Sequence, residues 1–204
     1  MKKALGLAVM MLFVASSAIA QGTIAASAHD LSLAAWNTTE QNLCEVCHTP
    51  HEAVSAVVPL WDRATPAGPF IPYTANSGQI GDPLGVSLAC LSCHDGATNL
   101  DAYGDNGTGS TPMGAVPGNF GLDLSNDHPV SVSYGGALDM QGSAPIDARV
   151  RIFSNGADTD AVECASCHNV HNDGDAEIGG AGSGRWMLAM ENTGSVMCLT
   201  CHAK

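Results

Sequence analysis

All eight cysteines of this chain lie in four copies of one short pattern, C-x-x-C-H. The copies occupy residues 44–48, 90–94, 164–168 and 198–202, and we call them the first, second, third and fourth motifs. In each motif a histidine directly follows the second thiol. This spacing is the attachment signature of c-type haem. The sequence therefore predicts four haem c groups, and it predicts that the haems determine how the chain folds.

The motif residues divide into covalent anchors and iron ligands. The two thiols of each motif bond to the edge of the haem, and the adjacent histidine becomes an axial ligand of the iron. The predicted covalent anchors are Cys44, Cys47, Cys90, Cys93, Cys164, Cys167, Cys198 and Cys201. The predicted proximal iron ligands are His48, His94, His168 and His202.

The histidines outside the motifs match the number of irons. The chain has eight histidines, and those outside the motifs are His29, His51, His128 and His171. Four irons that each bind a second imidazole need four such residues, so we predict that these are the distal ligands. Methionine is the competing distal ligand. We expect methionine to fill the core instead, which applies to Met113, Met140, Met187, Met190 and Met197.

Two distal candidates follow a motif histidine by three residues. His51 follows His48, and His171 follows His168. Two imidazoles on opposite sides of one iron hold their Cα atoms roughly 12 Å apart, given metal–nitrogen bonds of about 2 Å. Three extended residues reach at most about 10–11 Å. His51 therefore cannot share an iron with His48, nor His171 with His168, and each C-x-x-C-H-x-x-H unit is predicted to hold two haems side by side.

We predict that the haems pair in sequence order, the first with the second and the third with the fourth. In that arrangement His51 ligates the iron of the second motif, and His171 ligates the iron of the fourth. His29 and His128 then serve the first and third motifs, in either order.

Zinc and disulfide bonds are the alternatives for the cysteines. Zinc ribbons bind metal through pairs of C-x-x-C, and an exported protein can oxidise such pairs. Neither alternative explains a histidine directly after every pair. Calcium binding at residues 173–177, where carboxylates alternate with other residues, is a further alternative, although the full calcium-loop pattern is missing.

The amino terminus predicts export. Lys2 and Lys3 precede an apolar run over residues 4–14, and an A-x-A cleavage pattern ends at Ala20. We predict a signal peptide over residues 1–20 and a single tetrahaem domain over residues 21–204. The apolar run is too short to span a membrane. The mature chain keeps 7 − 2 = 5 basic residues against 20 acidic ones, a balance that argues against nucleic acid as a partner.

Composition predicts a loop-rich fold. The mature chain offers roughly 46 residues per haem (204 − 20 = 184, over 4), and it contains abundant glycine and proline. We expect mostly irregular structure with short α-helices at the haem motifs, little β-structure, and the haems as the core. One short strand is predicted at residues 130–134, with residues 149–153 as its partner. Trp61, Phe70 and Tyr73 are expected to serve packing.

The order of these motifs resembles a known family. The first and third motifs extend to a second histidine, a loop with the sequence Asp127-His128-Pro129 lies before the third motif, and the fourth motif lies close to the last residue. This order is similar to that of the extracellular tetrahaem cytochromes (OmcE-type) of metal-reducing bacteria, which polymerise into nanowire filaments. The resemblance implies a continuous chain of stacked haems and self-assembly. It also implies that one iron per subunit takes a histidine from a neighbouring subunit, for which His29 is the expected residue.

We therefore expect an electron-transfer protein and not an enzyme. Four bis-histidine haems would carry electrons within an extracellular cytochrome filament for respiration to external acceptors, with other redox proteins as partners. A monomeric periplasmic tetrahaem shuttle is the first alternative. A multihaem reductase is the second, but catalysis at haem needs an open iron position, and the histidine count leaves none.

Overall fold

Long irregular segments connect a few short helices and strands in this computed structural model. The structure describes residues 24–25, 27–37, 42–51, 53, 58–66, 68–74, 81–136, 139–171 and 187–203. Within them lie two α-helices, α1 (Gly85–His94) and α2 (Cys164–Cys167), and two strands, β1 (Val132–Ser133) and β2 (Ala161–Val162). Single 3₁₀ turns occupy Leu31–Leu33, Tyr134–Gly136, Thr193–Ser195 and Cys198–Thr200. The prediction of a loop-rich chain is confirmed.

Two predictions fall on parts of the chain that are not described. The signal peptide at residues 1–20 and the calcium alternative at residues 173–177 both lie outside the described residues. Among the helices that are described, none is long and apolar enough to cross a membrane.

Helical structure coincides with three of the four motifs. The second motif forms the end of α1, the third forms α2, and the fourth begins with a 3₁₀ turn. The first motif is a hydrogen-bonded turn, in which the N–H of His48 donates to the carbonyl of Cys44 at 2.9 Å. Short α-helices at the haem motifs were the expectation. This expectation is wrong at the first motif, where the turn does not continue into a helix, and at the fourth, where the helical turn is 3₁₀.

Side-chain hydrogen bonds end α1 immediately after its motif. The carboxylate of Asp95 accepts the N–H groups of Ala97 and Thr98 at 2.9 and 2.7 Å, and the hydroxyl of Thr98 at 2.7 Å. These bonds replace the next turn of helix, since a short acidic side chain offers the backbone an alternative to helical pairing. The second motif's histidine, His94, is therefore the last residue of the helix.

The short strands are paired differently from the prediction. β1 lies within the predicted strand at residues 130–134, but its antiparallel partner is β2, with Val132 opposite Val162. Phe153, in the segment predicted as that partner, instead bridges Ala161 and accepts its N–H at 2.8 Å. The prediction that residues 149–153 pair with residues 130–134 is wrong because β2 lies between them.

Apolar side chains collect in three small clusters. The buried members are Val150, Met190 and Met197 in the first cluster, Phe70, Leu91 and Leu124 in the second, and Val132, Tyr134 and Val162 in the third. Two methionines expected in the core are therefore found there. Cys167 packs against the first cluster, and Cys201 packs against the first and the third. The apolar clusters thus border the thiols of the third and fourth motifs.

Gly85→Ala is expected to lower the free energy of unfolding by about 2–4 kcal/mol. Gly85 opens α1 with φ +55°, and an added Cβ would lie 2.7 Å from the Cβ of Asn155. Gly81→Ala is the matched control, because Gly81 also has a positive φ (+97°) but open space around it. Denaturant titration of both variants checks this. Equal losses of stability would contradict the close contact at Gly85.

Candidate haem sites

All eight cysteines are free thiols, so no C-x-x-C pair is closed as a disulfide. In the first, third and fourth motifs the N–H of the histidine donates to the carbonyl of the first cysteine at 2.9–3.0 Å. In the second motif α1 covers the same residues. Each motif therefore holds its two thiols and its imidazole on one tight turn.

Buried thiols of successive motifs influence one another's pKa. Burial raises the pKa of Cys47 to about 11, and the nearby thiol of Cys93 is the next cause. Burial likewise raises the pKa of Cys167 to about 11, followed by the effect of Cys201. A hydrogen bond with the Cys164 thiol raises the pKa of Cys90, together with burial. Cysteines of the first and second, second and third, and third and fourth motifs are thus near enough to affect one another's pKa.

Six of the eight histidines meet as three pairs of neighbouring rings, two of them tilted and one T-shaped. The ring centroids of His48 and His171 are 6.1 Å apart, those of His94 and His29 are 5.9 Å apart, and those of His202 and His128 are 6.2 Å apart. Two imidazoles on opposite sides of one metal ion, with metal–nitrogen bonds of about 2 Å, place their centroids about 6 Å apart. Each pair joins one proximal histidine to one predicted distal histidine. The separations therefore fit an iron between the two rings of each pair.

Backbone carbonyls orient several of these imidazoles. The Nδ1–H of His48 donates to the carbonyl of Pro59 at 2.9 Å, and that of His94 donates to Gly118 at 2.5 Å. The Nδ1–H of His128 donates to the carbonyl of Pro129 at 2.9 Å. Such a bond fixes the tautomer in which Nε2 carries no proton, and Nε2 is then available to a metal.

Burial keeps the imidazole of His29 neutral. It lowers the pKa of His29 to about 4, and the neighbouring His94 and His168 lower it further. Its Nδ1 lies 3.0 Å from the sulfur of Met187. A neutral imidazole is the form that binds metal, so His29 is suited to the role of distal ligand predicted for it.

The histidine pairs differ from the predicted assignment. His171 was predicted to serve the fourth motif, but its ring faces His48 of the first. His29 was predicted for the first or third motif and faces His94 of the second, while His128 faces His202 of the fourth. The reach of a three-residue spacing excludes only a histidine's own motif, so it could not identify which motif histidine lies beside it.

The positions of His51 and His29 bear on their predicted roles. His51 was predicted to serve the second motif, but the histidine beside His94 of that motif is His29. The side chain of His51 is exposed. His29 was the histidine expected to reach a neighbouring subunit, but it faces His94 of its own chain. His29 therefore needs no second copy of the chain to meet a motif histidine.

Aromatic rings cover two of the proximal histidines. Trp61 packs edge-on against His48 at 5.6 Å between centroids, and Phe120 stacks on His94 at 5.6 Å. Gly118 lies on the same imidazole, since a Cβ there would be 3.3 Å from the ring of His94. Packing was predicted for Trp61, whereas no pattern in the sequence marked Gly118 or Phe120.

The histidine groupings suit haem iron in number as well as in distance. The rings meet in twos, and two is the number of axial positions that haem iron presents to a protein. The residues present therefore fit the haem group.

Comparison with known proteins adds no identification. No protein-family model matches this chain, and no curated protein matches it either. The interpretation of these sites rests on the four motifs and on the geometry of the histidine pairs.

Proposed function

We propose that this chain is a tetrahaem c-type cytochrome that transfers electrons. Each motif anchors one haem through its two thiols and supplies one axial imidazole. The observation that carries the proposal is the meeting of three motif histidines with three histidines from elsewhere in the chain, at 5.9–6.2 Å between centroids. That is the spacing of two imidazoles on one iron.

The ring pairs supply a specific ligand scheme. The first haem takes His48 and His171, the second takes His94 and His29, and the fourth takes His202 and His128. The count of eight histidines leaves His51 for the iron of the third motif. The second histidine of each H-x-x-H unit would then ligate the iron of the other unit. This scheme places the first and third haems side by side, in place of the pairing in sequence order.

The protein's own residues would close three of the four proposed iron sites, those of the first, second and fourth motifs. Two imidazoles per iron leave no position for a substrate, and hydrogen bonds from Nδ1 hold the rings in place. When bound, haem supplies a one-electron couple between ferrous and ferric iron. Two imidazoles held in place on such an iron would let one electron enter or leave without the transfer of a proton or the loss of a ligand. These features support electron transfer rather than catalysis.

The haems would also complete the core. The described apolar clusters contain three buried residues each, and two of them pack against cysteines of the third and fourth motifs. A porphyrin attached at those cysteines would extend the clusters into one apolar interior. Small domains with little core of their own depend on metals or cross-links in this way.

The finer proposal is that exported copies assemble into an extracellular filament. In such a filament His51 would bridge two copies by ligating the third-motif iron of a neighbouring copy. The support for this role is that the imidazole of His51 is exposed. In the alternative, a monomeric periplasmic shuttle, His51 ligates the iron of its own third motif.

His51→Ala is expected to abolish filaments and to leave soluble particles in which one iron of four has lost a ligand. Negative-stain microscopy of the secreted protein checks this. Pro50→Ala is the matched control, since Pro50 is the exposed neighbour of His51 and carries no ligand atom. Normal filaments in the His51 variant would contradict a bridging role for this residue.

Carbon monoxide distinguishes electron transfer from the reductase alternative. The purified protein is expected to contain four haems per chain, and its reduced spectrum is expected to remain unchanged under carbon monoxide because both axial positions are filled. A colourless protein would contradict haem binding altogether. A spectral change equivalent to one haem or more would show an open iron and favour a reductase.

A further inference from the structure

A buried cation lies against the first motif. Arg63 is 2% exposed, and its guanidinium donates to the carbonyl of Val46 at 2.9 Å. Val46 lies between the two cysteines of the first motif. The other described hydrogen bonds of Arg63 go to the carbonyls of Asn99 and Leu100, at 3.1 and 2.9 Å, and the ring of Tyr103 lies 5.8 Å away.

The described hydrogen-bond acceptors of Arg63 carry no formal charge. All of these acceptors are neutral backbone carbonyls, and among the described residues the guanidinium has no carboxylate within salt-bridge distance. Its field reaches two motifs. Burial is the largest influence on the pKa of Cys47 and of Cys93, and it raises both, whereas Arg63 lowers both.

A buried anion lies between the second and third motifs. Glu163 is 1% exposed and directly precedes Cys164. Its Oε2 accepts the N–H of Ser87 at 3.1 Å, the hydroxyl of Ser87, and the hydroxyl of Ser131 at 3.1 Å. Ser87 lies three residues before Cys90 on α1, and its hydroxyl also accepts the N–H of Cys164 at 2.9 Å.

Glu163 has only neutral partners among the described residues. Every group that donates to it is a backbone N–H or a serine hydroxyl, and its Oε1 has no hydrogen-bond partner there. The N–H of Ser87 can only donate, so Oε2 accepts in that contact, and we take Glu163 as a carboxylate. A negative charge thus lies where helices α1 and α2 meet, next to attachment cysteines of two different haems.

We propose that Arg63 and Glu163 form a built-in potential step, such that an electron is held more strongly at the first motif than at the third. This inference rests on the proposed function. A positive charge stabilises an added electron nearby and a negative charge destabilises it, and the effect is strong in a buried site. Arg63 therefore raises the reduction potential on the side of the first motif, and Glu163 lowers it on the side of the third.

The second motif experiences both signs of charge. Arg63 and Glu163 both lie near it, and the carboxylate of Asp95, 1% exposed, directly follows its histidine. Opposing charges compensate there, so the step is expected between the first and third motifs. Transfer between those two sites moves one electron from a ferrous to a ferric iron and involves no proton.

Glu163→Gln and Arg63→Gln are expected to shift the potentials in opposite directions. Loss of the anion should raise the potential of the third haem, and loss of the cation should lower that of the first. Each shift should change the ratio of reduced to oxidised haem on the order of tenfold at fixed potential, which for one electron is about 59 mV. A redox titration followed by the haem methyl resonances reports each haem separately.

Charge-conserving variants separate electrostatics from structure. Glu163→Asp and Arg63→Lys disturb the same hydrogen bonds but keep the charges, so each should shift the ratio less than threefold, well below its neutral counterpart. Equal shifts in the aspartate and glutamine variants, or shifts of the same sign at Glu163 and Arg63, would overturn the proposal. If Arg63→Gln does not fold, the comparison of Glu163→Gln with Glu163→Asp is sufficient to test the proposal.

The haem content of the wild-type protein keeps this test distinct from that of the proposed function. Absence of haem would contradict the proposed function itself. If Glu163→Gln carries four haems with unchanged reduction potentials, the proposed cytochrome function stands. Only the proposed difference in potential between the first and third haems is then refuted.

Discussion

Chain produced without haem attachment is expected to be largely unfolded. The described apolar clusters hold three buried residues each, and the described regular structure is limited to short segments. Each buried side chain contributes about 1.5–3 kcal/mol, whereas ordering the backbone costs about 1–2 kcal/mol for every residue. Covalent haems with two axial bonds each would supply the missing apolar area and cross-links. Cytoplasmic expression of the mature chain, with circular dichroism and proton NMR, checks this.

The exported protein, with haem attached, is the control for that experiment. It is expected to show dispersed resonances and cooperative unfolding, while the haem-free chain shows neither. Dispersed, native-like resonances from the haem-free chain would contradict the role of the haems as core, because they would show that these clusters suffice by themselves.

Replacing His171 by methionine is expected to alter the same haem as replacing His48. The rings of His171 and His48 lie 6.1 Å apart, so both variants would exchange one axial imidazole of one iron for a thioether. A methionine ligand raises the potential of a haem. In the ferric protein, each variant should remove the same low-spin electron paramagnetic resonance signal. About a quarter of the haem absorbance should then titrate at a higher potential.

His202→Met is the matched control. Assignment in sequence order predicts that His171 and His202 share an iron, whereas the structure has His128 facing His202. His202→Met should therefore remove a different signal from His171→Met. Loss of one common signal in these two variants would contradict the ligand scheme and restore the assignment in sequence order.

The predictions about haem attachment depended on local patterns in the sequence. The spacing of thiols and imidazole within a motif is a local property, so Cys44 and Cys47, or His48, could be assigned a role without any knowledge of the fold. The count of histidines also identified the candidate distal set. His171, His29 and His128 do lie beside motif histidines in the structure.

Partner choice across long stretches of chain could not be predicted in the same way. A spacing of three residues limits how far His171 can reach from His168, but it does not specify which motif the chain brings opposite. The strand at residues 130–134 illustrates the same limit. Its alternating pattern located β1 correctly, but the partner is β2 and not residues 149–153, since a pattern of period two does not encode which segment lies alongside.

The buried charges left no signal in the sequence. Arg63 and Glu163 occur among ordinary loop residues, and nothing in composition or spacing indicates that both are almost fully buried. Their acceptors and donors come from remote segments, since Arg63 binds carbonyls at Asn99 and Leu100 and Glu163 binds Ser87. Only the folded arrangement brings these groups beside the motifs.

The intact mass of the exported protein, measured under denaturing conditions, tests the central claim most directly. Thioether bonds survive denaturation, so covalently attached haem remains with the chain. We expect the mass of the mature chain plus four haems. A mass equal to that of the polypeptide alone would contradict covalent haem attachment. A zinc protein would give the same result, because zinc is lost on denaturation.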